Sequence, residues 1–293
     1  MWFVVAVAAA LLFGFGGFLF KFSTMRTENT VSYLLMGLYL TATPLFVTTA
    51  VLTDTLQISG WLVFAGILVG IGSFLGNFCY VRAMRMGPVS LTGPLANSNI
   101  VLVILMSVLL YHEAIEVKDV IGVILLLVAV SLIAVDPHES LSIRSRWWYL
   151  LVALAIGLFF MRNGGLKITR ENDLENTPVL MYGYAFGLGY FAIALALDRY
   201  LRRVGQPPKA LAHVRGARFA FRIGLVNGFC SYGGIQLYAY ALTIGPASLI
   251  SPIFASNGLV VALLSIWYFH ERLSKLQMLA LAGIMLGLIL LAS

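Results

Sequence analysis

Apolar blocks of about 20 residues recur along the whole chain, and they constrain its fold more than any other feature. A helix of that length spans the roughly 30 Å of hydrocarbon in a bilayer. A segment in lipid must satisfy its own backbone polar groups, which favours helices. Of the 293 residues, 60% are hydrophobic and 11% are charged, whereas about a quarter of a soluble domain is charged. The sequence therefore predicts an all-α integral membrane protein.

Ten of these blocks can be placed as transmembrane helices. They cover 2–21, 31–52, 61–83, 91–111, 120–135, 147–168, 179–197, 223–242, 249–269 and 278–291. The longest connection, 198–222, carries seven arginine and lysine residues, which is typical of a solvated loop against anionic lipid rather than of a nucleic-acid site. The first block lacks a basic start and a clear cleavage site, so we interpret it as a span rather than a signal peptide.

One stretch of the sequence is present twice. Residues 87–91, Gly-Pro-Val-Ser-Leu, recur at 245–249 as Gly-Pro-Ala-Ser-Leu, and each matched residue from Tyr80 to Glu113 has its counterpart 158 positions later. A weaker match joins Gly16-Gly17 to Gly164-Gly165 at an interval of 148. Each copy then has five helices, and an odd number makes the second copy enter the membrane from the opposite side. We predict ten transmembrane helices as two inverted five-helix repeats, 1–136 and 147–293, with a site between them.

The repeated Gly-Pro-x-Ser-Leu start of the fourth helix, the proline that follows it and the closing glutamate resemble the EamA-type branch of the drug/metabolite transporter superfamily. The resemblance covers nearly the whole chain. It implies a membrane transporter, and we expect it in the bacterial cytoplasmic (inner) membrane. The resemblance leaves the substrate open, because the family spans amino-acid exporters, nucleotide-sugar and sugar-phosphate exchangers, choline uptake and lipid-linked sugar translocation.

Basic residues are divided unevenly between the two predicted faces. The loops after helices one, three, five, seven and nine carry fifteen of them, whereas the other loops carry three. The positive-inside rule therefore places both termini outside. The family resemblance implies both termini inside, so the two indications conflict.

Arg162 and Asn163 are the strongest candidates for a substrate site. Only 15 residues separate Arg146 from Arg162, so the helix is expected to run on toward Lys167 and to leave Arg162 within the membrane. A buried arginine needs a wet cavity or a partner, and its guanidinium suits a carboxylate or phosphate. The alternative is a short, tilted helix in which Arg162 reaches the membrane interface. The repeat partner is Gly14, so an asymmetric site is predicted.

Six further polar side chains are predicted to line the same pocket, namely Asn77, Tyr80, Asn99, Tyr232, Gln236 and Asn257. Polar groups at this depth either line a cavity or bond between helices. Pro94 and Pro252 lie near helix starts, where a kink leaves most of the helix intact. Glu113 and Glu271 end the same helices and are predicted gate or capping residues.

The two glutamates have candidate partners close by in sequence, Lys118 and Arg272. Each glutamate directly follows a histidine in the sequence. Adjacent side chains diverge by about 100° on a helix, however, which disfavours a shared metal site. Cys79 and Cys230 lack metal-ligand spacing. No cofactor or metal is therefore expected.

Several functions are disfavoured by what the sequence lacks. All twelve acidic residues lie in predicted loops or at helix ends, which argues against cationic-drug/proton antiport. The sequence has no phosphate-binding Gly-Lys-Ser/Thr loop, HExxH motif or nucleophile–base arrangement, so we expect it not to be an enzyme.

We therefore predict a secondary-active, alternating-access transporter of a small anionic or zwitterionic organic metabolite, such as an amino acid. The first alternative is a flippase for a lipid-linked sugar or phospholipid head group, and the second is a membrane scaffold or receptor. The expected partners are the small-molecule or lipid substrate and the bilayer, without nucleic acid, and the oligomeric state stays open. Specificity is expected where the copies differ, at Arg162-Asn163 and Asn77.

Overall fold

The computed structural model describes residues 1–27, 30–133, 143, 145–205, 211–269 and 275–292. In these ranges the regular structure is entirely helical, which confirms that the protein is all-α. The helices are α1 (Trp2–Arg26), α2 (Val31–Leu52), α3 (Gly60–Met86), α4 (Val89–Asn97), α5 (Asn99–Tyr111), α6 (Val117–Ile133), α7 (Trp147–Glu171), α8 (Asn176–Gly205), α9 (Leu211–Ile244), α10 (Ala247–Ala255), α11 (Asn257–Phe269) and α12 (Lys275–Ala292).

Seven segments in the described chain are long and apolar enough to cross a membrane. They are α1, α2, α3, the α4–α5 pair, α7, most of α8 and the α10–α11 pair. Of the remaining helices, α6 and α12 pack against each other, whereas α9 packs on α1 and α2. The protein is therefore an integral membrane protein.

Two predicted spans are interrupted rather than continuous. The segment 91–111 is divided at Ser98 into α4 and α5, and the segment 249–269 is divided at Ser256 into α10 and α11. Pro94 and Pro252 lie inside the shorter helices, each four residues before the break. Proline has no N–H to donate and crowds the preceding turn. Each proline therefore weakens the turn before it, whereas the break itself follows four residues later.

The asparagines that follow each break satisfy carbonyl groups that the interruption frees. Asn99 Nδ2 donates to Ala96 O at 2.7 Å, and Asn257 Nδ2 donates to Phe254 O at 2.7 Å. An unpaired carbonyl would be costly in a membrane. The matched bonds stabilise a pair of helix breaks that face the centre of the protein.

The predicted basic loop 198–222 is partly helical. Helix α8 continues to Gly205, and α9 begins at Leu211. Arg215, Arg218 and Arg222 of the predicted loop therefore lie in α9. A helix that leaves the membrane can carry charged residues without desolvating them. The predicted span began at residue 223, whereas α9 begins at Leu211, because the apolar block covers only the later part of this helix.

The helices pair across the two halves of the chain in a reciprocal way. Helix α1 packs along α9, and α7 packs along α3; α2 contacts α8 and α9, and α3 contacts α8. Glycine permits a close crossing of α3 and α8, because a Cβ on Gly70 would lie 2.6 Å from Gly183 Cα. Small residues at such crossings are typical of membrane helix packing.

The contacts of α7 show at which end of the bundle α3 and α7 each terminate. Trp148 at the start of α7 packs against Gly87 at the end of α3, with a Gly87 Cβ position 2.6 Å from the indole. Lys167 follows nineteen residues later on the same helix, about 28 Å away at 1.5 Å per residue. The end of α3 and the end of α7 therefore lie at opposite ends of the bundle.

Candidate functional site

A cavity of about 1070 Å³ lies between the two halves of the chain. Its inner wall includes Asn77, Arg162 and Asn227, and it extends to basic residues at the ends of α1 and α3. Those basic residues are Lys21, Arg26, Arg82 and Arg85. None of the described residues that line the cavity is acidic. The cavity therefore has a positive mouth and a polar interior.

Arg162 lies within α7, which continues to Glu171, and its side chain is only 3% exposed. The guanidinium carbon lies 4.7 Å from the ring centroid of Phe159 and 5.2 Å from that of Phe13. Both distances fit cation–π contact. Arg162 therefore faces the cavity, and the geometry does not match the alternative in which it reaches the membrane interface.

The guanidinium is held by a chain of asparagine side chains. Arg162 Nε donates to Asn163 Oδ1 at 3.0 Å, and Asn163 Nδ2 donates to Asn99 Oδ1 at 2.9 Å. The chain ends on the backbone freed at the α4–α5 break, because Asn99 donates to Ala96 O. The interrupted helix thus fixes the orientation of Arg162.

The charge of Arg162 is not compensated inside the described chain. Its Nη1 atom has no hydrogen-bond partner there, and none of the ion pairs between described residues includes Arg162. A buried charge is costly unless it is paired. The arrangement can accept an anionic group from a bound molecule.

Six of the eight predicted binding residues meet at this cavity: Asn77, Tyr80, Asn99, Arg162, Asn163 and Asn257. Asn77 Nδ2 also donates to the Tyr39 hydroxyl at 3.3 Å. The structure thus brings together residues from helices of both halves that are far apart in sequence.

Tyr232 and Gln236 are not among the residues that line the cavity. The Tyr232 hydroxyl bonds to Thr49, and Gln236 Nε2 donates to Thr177 Oγ1 at 2.8 Å. They join α9 to α2 and α8, whereas Asn227 and Ser231 of α9 face the cavity. The helical period placed Tyr232 and Gln236 on one face, but it did not show which helix that face contacts.

The bundle end opposite the basic mouth is held by Glu113. His112 adopts a left-handed conformation with φ of 51°, which ends α5 and turns the chain out of the helix. Glu113 Oε1 then lies 2.7 Å from Lys167 Nζ and accepts the Ala247 amide at 3.0 Å, while Oε2 accepts the Ser248 amide at 2.8 Å. We call Glu113, Lys167 and the first two residues of α10 the latch.

The latch is buried and its carboxylate is stabilised in the charged form. The side chains of Lys167 and Glu113 are 6% and 11% exposed. Burial alone would raise the pKa of Glu113, but the hydrogen bonds from Lys167 and from the Ser248 and Ala247 amides outweigh it and lower the pKa. Lys167 also pairs with Glu171.

The partner of Glu113 was not foreseen from neighbouring sequence. Lys118 instead lies 3.6 Å from the exposed Glu116, whereas Lys167 reaches Glu113 from another helix. Glu271 and Arg272 fall outside the described residues. His112 is not helical, so the expected divergence of His112 and Glu113 on one helix does not apply. In the described ranges no group of three His, Cys, Asp or Glu residues could hold a metal ion.

The comparisons with known proteins agree with this architecture. The EamA-like transporter family matches residues 1–135 and 145–293. A solved crystal structure, described only as that of a protein, is 16% identical, covers 99% of this chain and 94% of its own, and has a TM-score of 0.73. That likeness supports the fold alone, and no curated protein matches the chain. The chain belongs to the EamA-like transporter family and is therefore a membrane transporter of small molecules.

Proposed function

We propose that the protein is a secondary-active transporter of a small organic anion, which it binds at Arg162. The observation that carries the proposal is a buried guanidinium with no acidic partner in the described chain, facing a cavity between the halves. An anionic ligand would supply the missing charge. Asn163 and Asn99 would keep the guanidinium in place before and after the ligand leaves.

The charge of the cavity wall supports an anion over a cation. Five basic residues line it, from the mouth to Arg162, and no acidic residue does so in the described ranges. A cleft lined by one sign of charge concentrates ligands of the opposite sign. An amino-acid zwitterion is a second candidate, but its ammonium group would meet only neutral oxygens, such as those of Asn257 and Ser265.

Alternating access between two inverted repeats is the proposed mechanism, with α6, α9 and α12 as the three further spans. The reciprocal pairing of α1 with α9 and of α7 with α3 supports it. So do the helix directions, because α1 ends at the basic mouth whereas α7 ends at the latch. In this mechanism the described conformation is open at the mouth and closed at the latch.

The basic mouth bears on orientation as well. If the basic end faces the cytoplasm, as the positive-inside rule favours, the cavity is open to the cytoplasm and both termini lie outside. The family resemblance favours the opposite orientation. Labelling of a single cysteine placed near residue 1 on intact cells would decide between them.

A flippase for a lipid-linked sugar or phospholipid head group is the second candidate. The observation in its favour is the volume of about 1070 Å³, because ligand pockets are usually about 300–1,000 Å³. The two candidates share an anionic ligand. They differ in whether a water-soluble anion alone stabilises the purified protein or an acyl-linked one is required.

The test is a thermal-shift screen of purified protein against organic anions, zwitterions and cations. We expect anions to stabilise the wild type. Replacing Arg162 with glutamine should weaken that binding about 30- to 4,000-fold, since truncating one partner of a buried charge pair costs about 2–5 kcal/mol. Arg162→Lys should retain part of the binding.

Arg170→Gln is the matched control, because it makes the same charge change near the end of the same helix and outside the cavity wall. It should bind the same anions as the wild type. The proposal fails if only cations stabilise the protein. It also fails if Arg162→Gln binds the selected anion as tightly as Arg170→Gln does.

A further inference from the structure

Asn227 of α9 lines the cavity, but its side-chain amide lacks a complete set of hydrogen bonds. The residue is 1% exposed, and its Nδ2 atom has no partner in the described chain. Buried donors in native proteins are nearly always paired, and an unpaired one is costly. The unpaired amide therefore indicates that something other than the surrounding protein completes it.

Close packing against α1 fixes the position of this amide. A Cβ on Gly16 would lie only 2.5 Å from Asn227 Oδ1, so the oxygen rests against the α1 backbone. The nitrogen is then the atom left to meet a molecule in the cavity. Gly16 also lines the cavity beside it.

The corresponding position in the first half shows that the fold does not require an amide here. That position, 158 residues earlier, is Val69, which is buried and packs against Gly165. Both positions pack against a glycine, but one side chain is aliphatic and the other is polar. The polarity of Asn227 is thus separable from its packing.

We propose that Asn227 is a substrate-binding residue that donates from Nδ2 to a neutral hydroxyl or carbonyl oxygen of the anion held at Arg162. This inference rests on the proposed function, since Arg162 supplies the charge and Asn227 the second contact. The ligand class is a hydroxy- or oxo-substituted organic anion. A site built to hydrogen-bond such an oxygen rejects the analogue that lacks it.

Two pairs of probes that differ by one hydroxyl test the assignment: L-malate with succinate, and L-lactate with propionate. We expect wild-type protein to bind the hydroxylated member of a pair about 10- to 100-fold more tightly, because the unsubstituted analogue leaves the buried Asn227 donor unpaired. Asn227→Leu should bind both members equally, with the affinity of the unsubstituted anion retained. Its melting temperature should equal or exceed that of the wild type, because an unpaired amide is removed.

Asn227→Val provides a second variant if leucine fits poorly, since valine occupies the matched position in the first half. Asn172→Leu, at the exposed end of α7, is the control and should keep the preference for the hydroxyl.

Arg162→Gln should lose both members of the pair, and this separates the two proposals. If Arg162→Gln loses binding while Asn227→Leu keeps the hydroxyl preference, the inference about Asn227 is overturned and the proposed function stands. If Arg162→Gln binds as the wild type does, both are overturned. A wild type that binds none of the four probes, or prefers the unsubstituted member, also overturns the inference.

Discussion

Replacing Glu113 with glutamine should open the latched end of the protein. Glutamine preserves the shape of the side chain and one acceptor oxygen, but it removes the charge that pairs with Lys167 at 2.7 Å. It also removes the charge that faces the Ala247 and Ser248 amides at the start of α10. The substitution therefore weakens the latch with little change in packing.

The magnitude follows from burial. Removing one partner of a buried ion pair costs about 3–5 kcal/mol, but Lys167 keeps its second partner Glu171, whose side chain is 38% exposed, so about 2–3 kcal/mol is expected here. The lost charge at a helix N-terminus adds about 0.3–1 kcal/mol. A total of about 2–4 kcal/mol would shift the equilibrium toward opening about 30- to 700-fold.

The assay is the labelling rate of a cysteine at Ser248, which is fully buried beside the latch. Cys79 and Cys230 are replaced by alanine, and a membrane-impermeant maleimide is added to proteoliposomes at pH 7. We expect Glu113→Gln to raise the labelling rate by at least tenfold. Lys167→Met in the same background should restore part of the closure, because it removes the charge left without Glu113.

Glu116→Gln is the control, since it makes the same charge change three residues away in an exposed ion pair whose Glu116 side chain is 73% exposed. Exposed pairs contribute about 0–1 kcal/mol, so its labelling rate should match the wild type. Equal rates for Glu113→Gln and the wild type would refute the assignment of the latch. So would an equally large effect of Glu116→Gln.

Three further predictions concern pH, packing and buried charge. Because the pKa of Glu113 lies below its ordinary value of 4.5 when the latch is closed, its stabilising contribution is complete above that pH and is lost as the pH falls through the lowered value. The Ala247 and Ser248 amides donate to Glu113, so their hydrogen exchange, corrected for intrinsic rates, should stay slow from pH 7 to about pH 5 and rise below pH 4.5. An increase already at pH 6 would contradict this. Gly70→Ala should destabilise the protein by about 1–3 kcal/mol in thermal unfolding, because its Cβ would meet Gly183 at 2.6 Å. Gly189→Ala, with open space around it, should be neutral or stabilising, and equal effects of the two substitutions would refute the close crossing. Arg162→Met should raise the melting temperature of the ligand-free protein while abolishing anion binding, since an uncompensated buried charge is removed; a lower melting temperature would show that Arg162 stabilises the fold.

The helical membrane fold could be predicted from the sequence because lipid leaves a chain few alternatives. Blocks of apolar residues gave most helix positions, and the repeated prolines indicated where two helices bend. The breaks themselves were not foreseen, since α4 and α10 end at Ser98 and Ser256, four residues after the prolines. The start of α9 was missed because a helix that extends beyond the membrane carries arginines, which an apolar block does not include.

The candidate site could be predicted only for residues whose depth in the membrane follows from their position along one helix. The position of Arg162 at the cavity could be anticipated because a long helix had to carry this residue into the membrane. Asn227 and the Lys167 partner of Glu113 were not, because they depend on how helices rotate and which ones meet. Asn227 had one visible signal, a polar residue in an apolar block, but Tyr232 and Gln236 had the same signal and lie elsewhere.

Transport in proteoliposomes shows whether the protein carries an organic anion through Arg162. The wild type and Arg162→Gln are reconstituted at equal density, and uptake of a radiolabelled organic anion selected by the binding screen is measured beside that of a cation of similar size. We predict saturable uptake of the anion by the wild type, loss of that uptake in Arg162→Gln, and no uptake of the cation by either protein. Uptake of the cation, or equal anion uptake by the two proteins, would contradict this prediction.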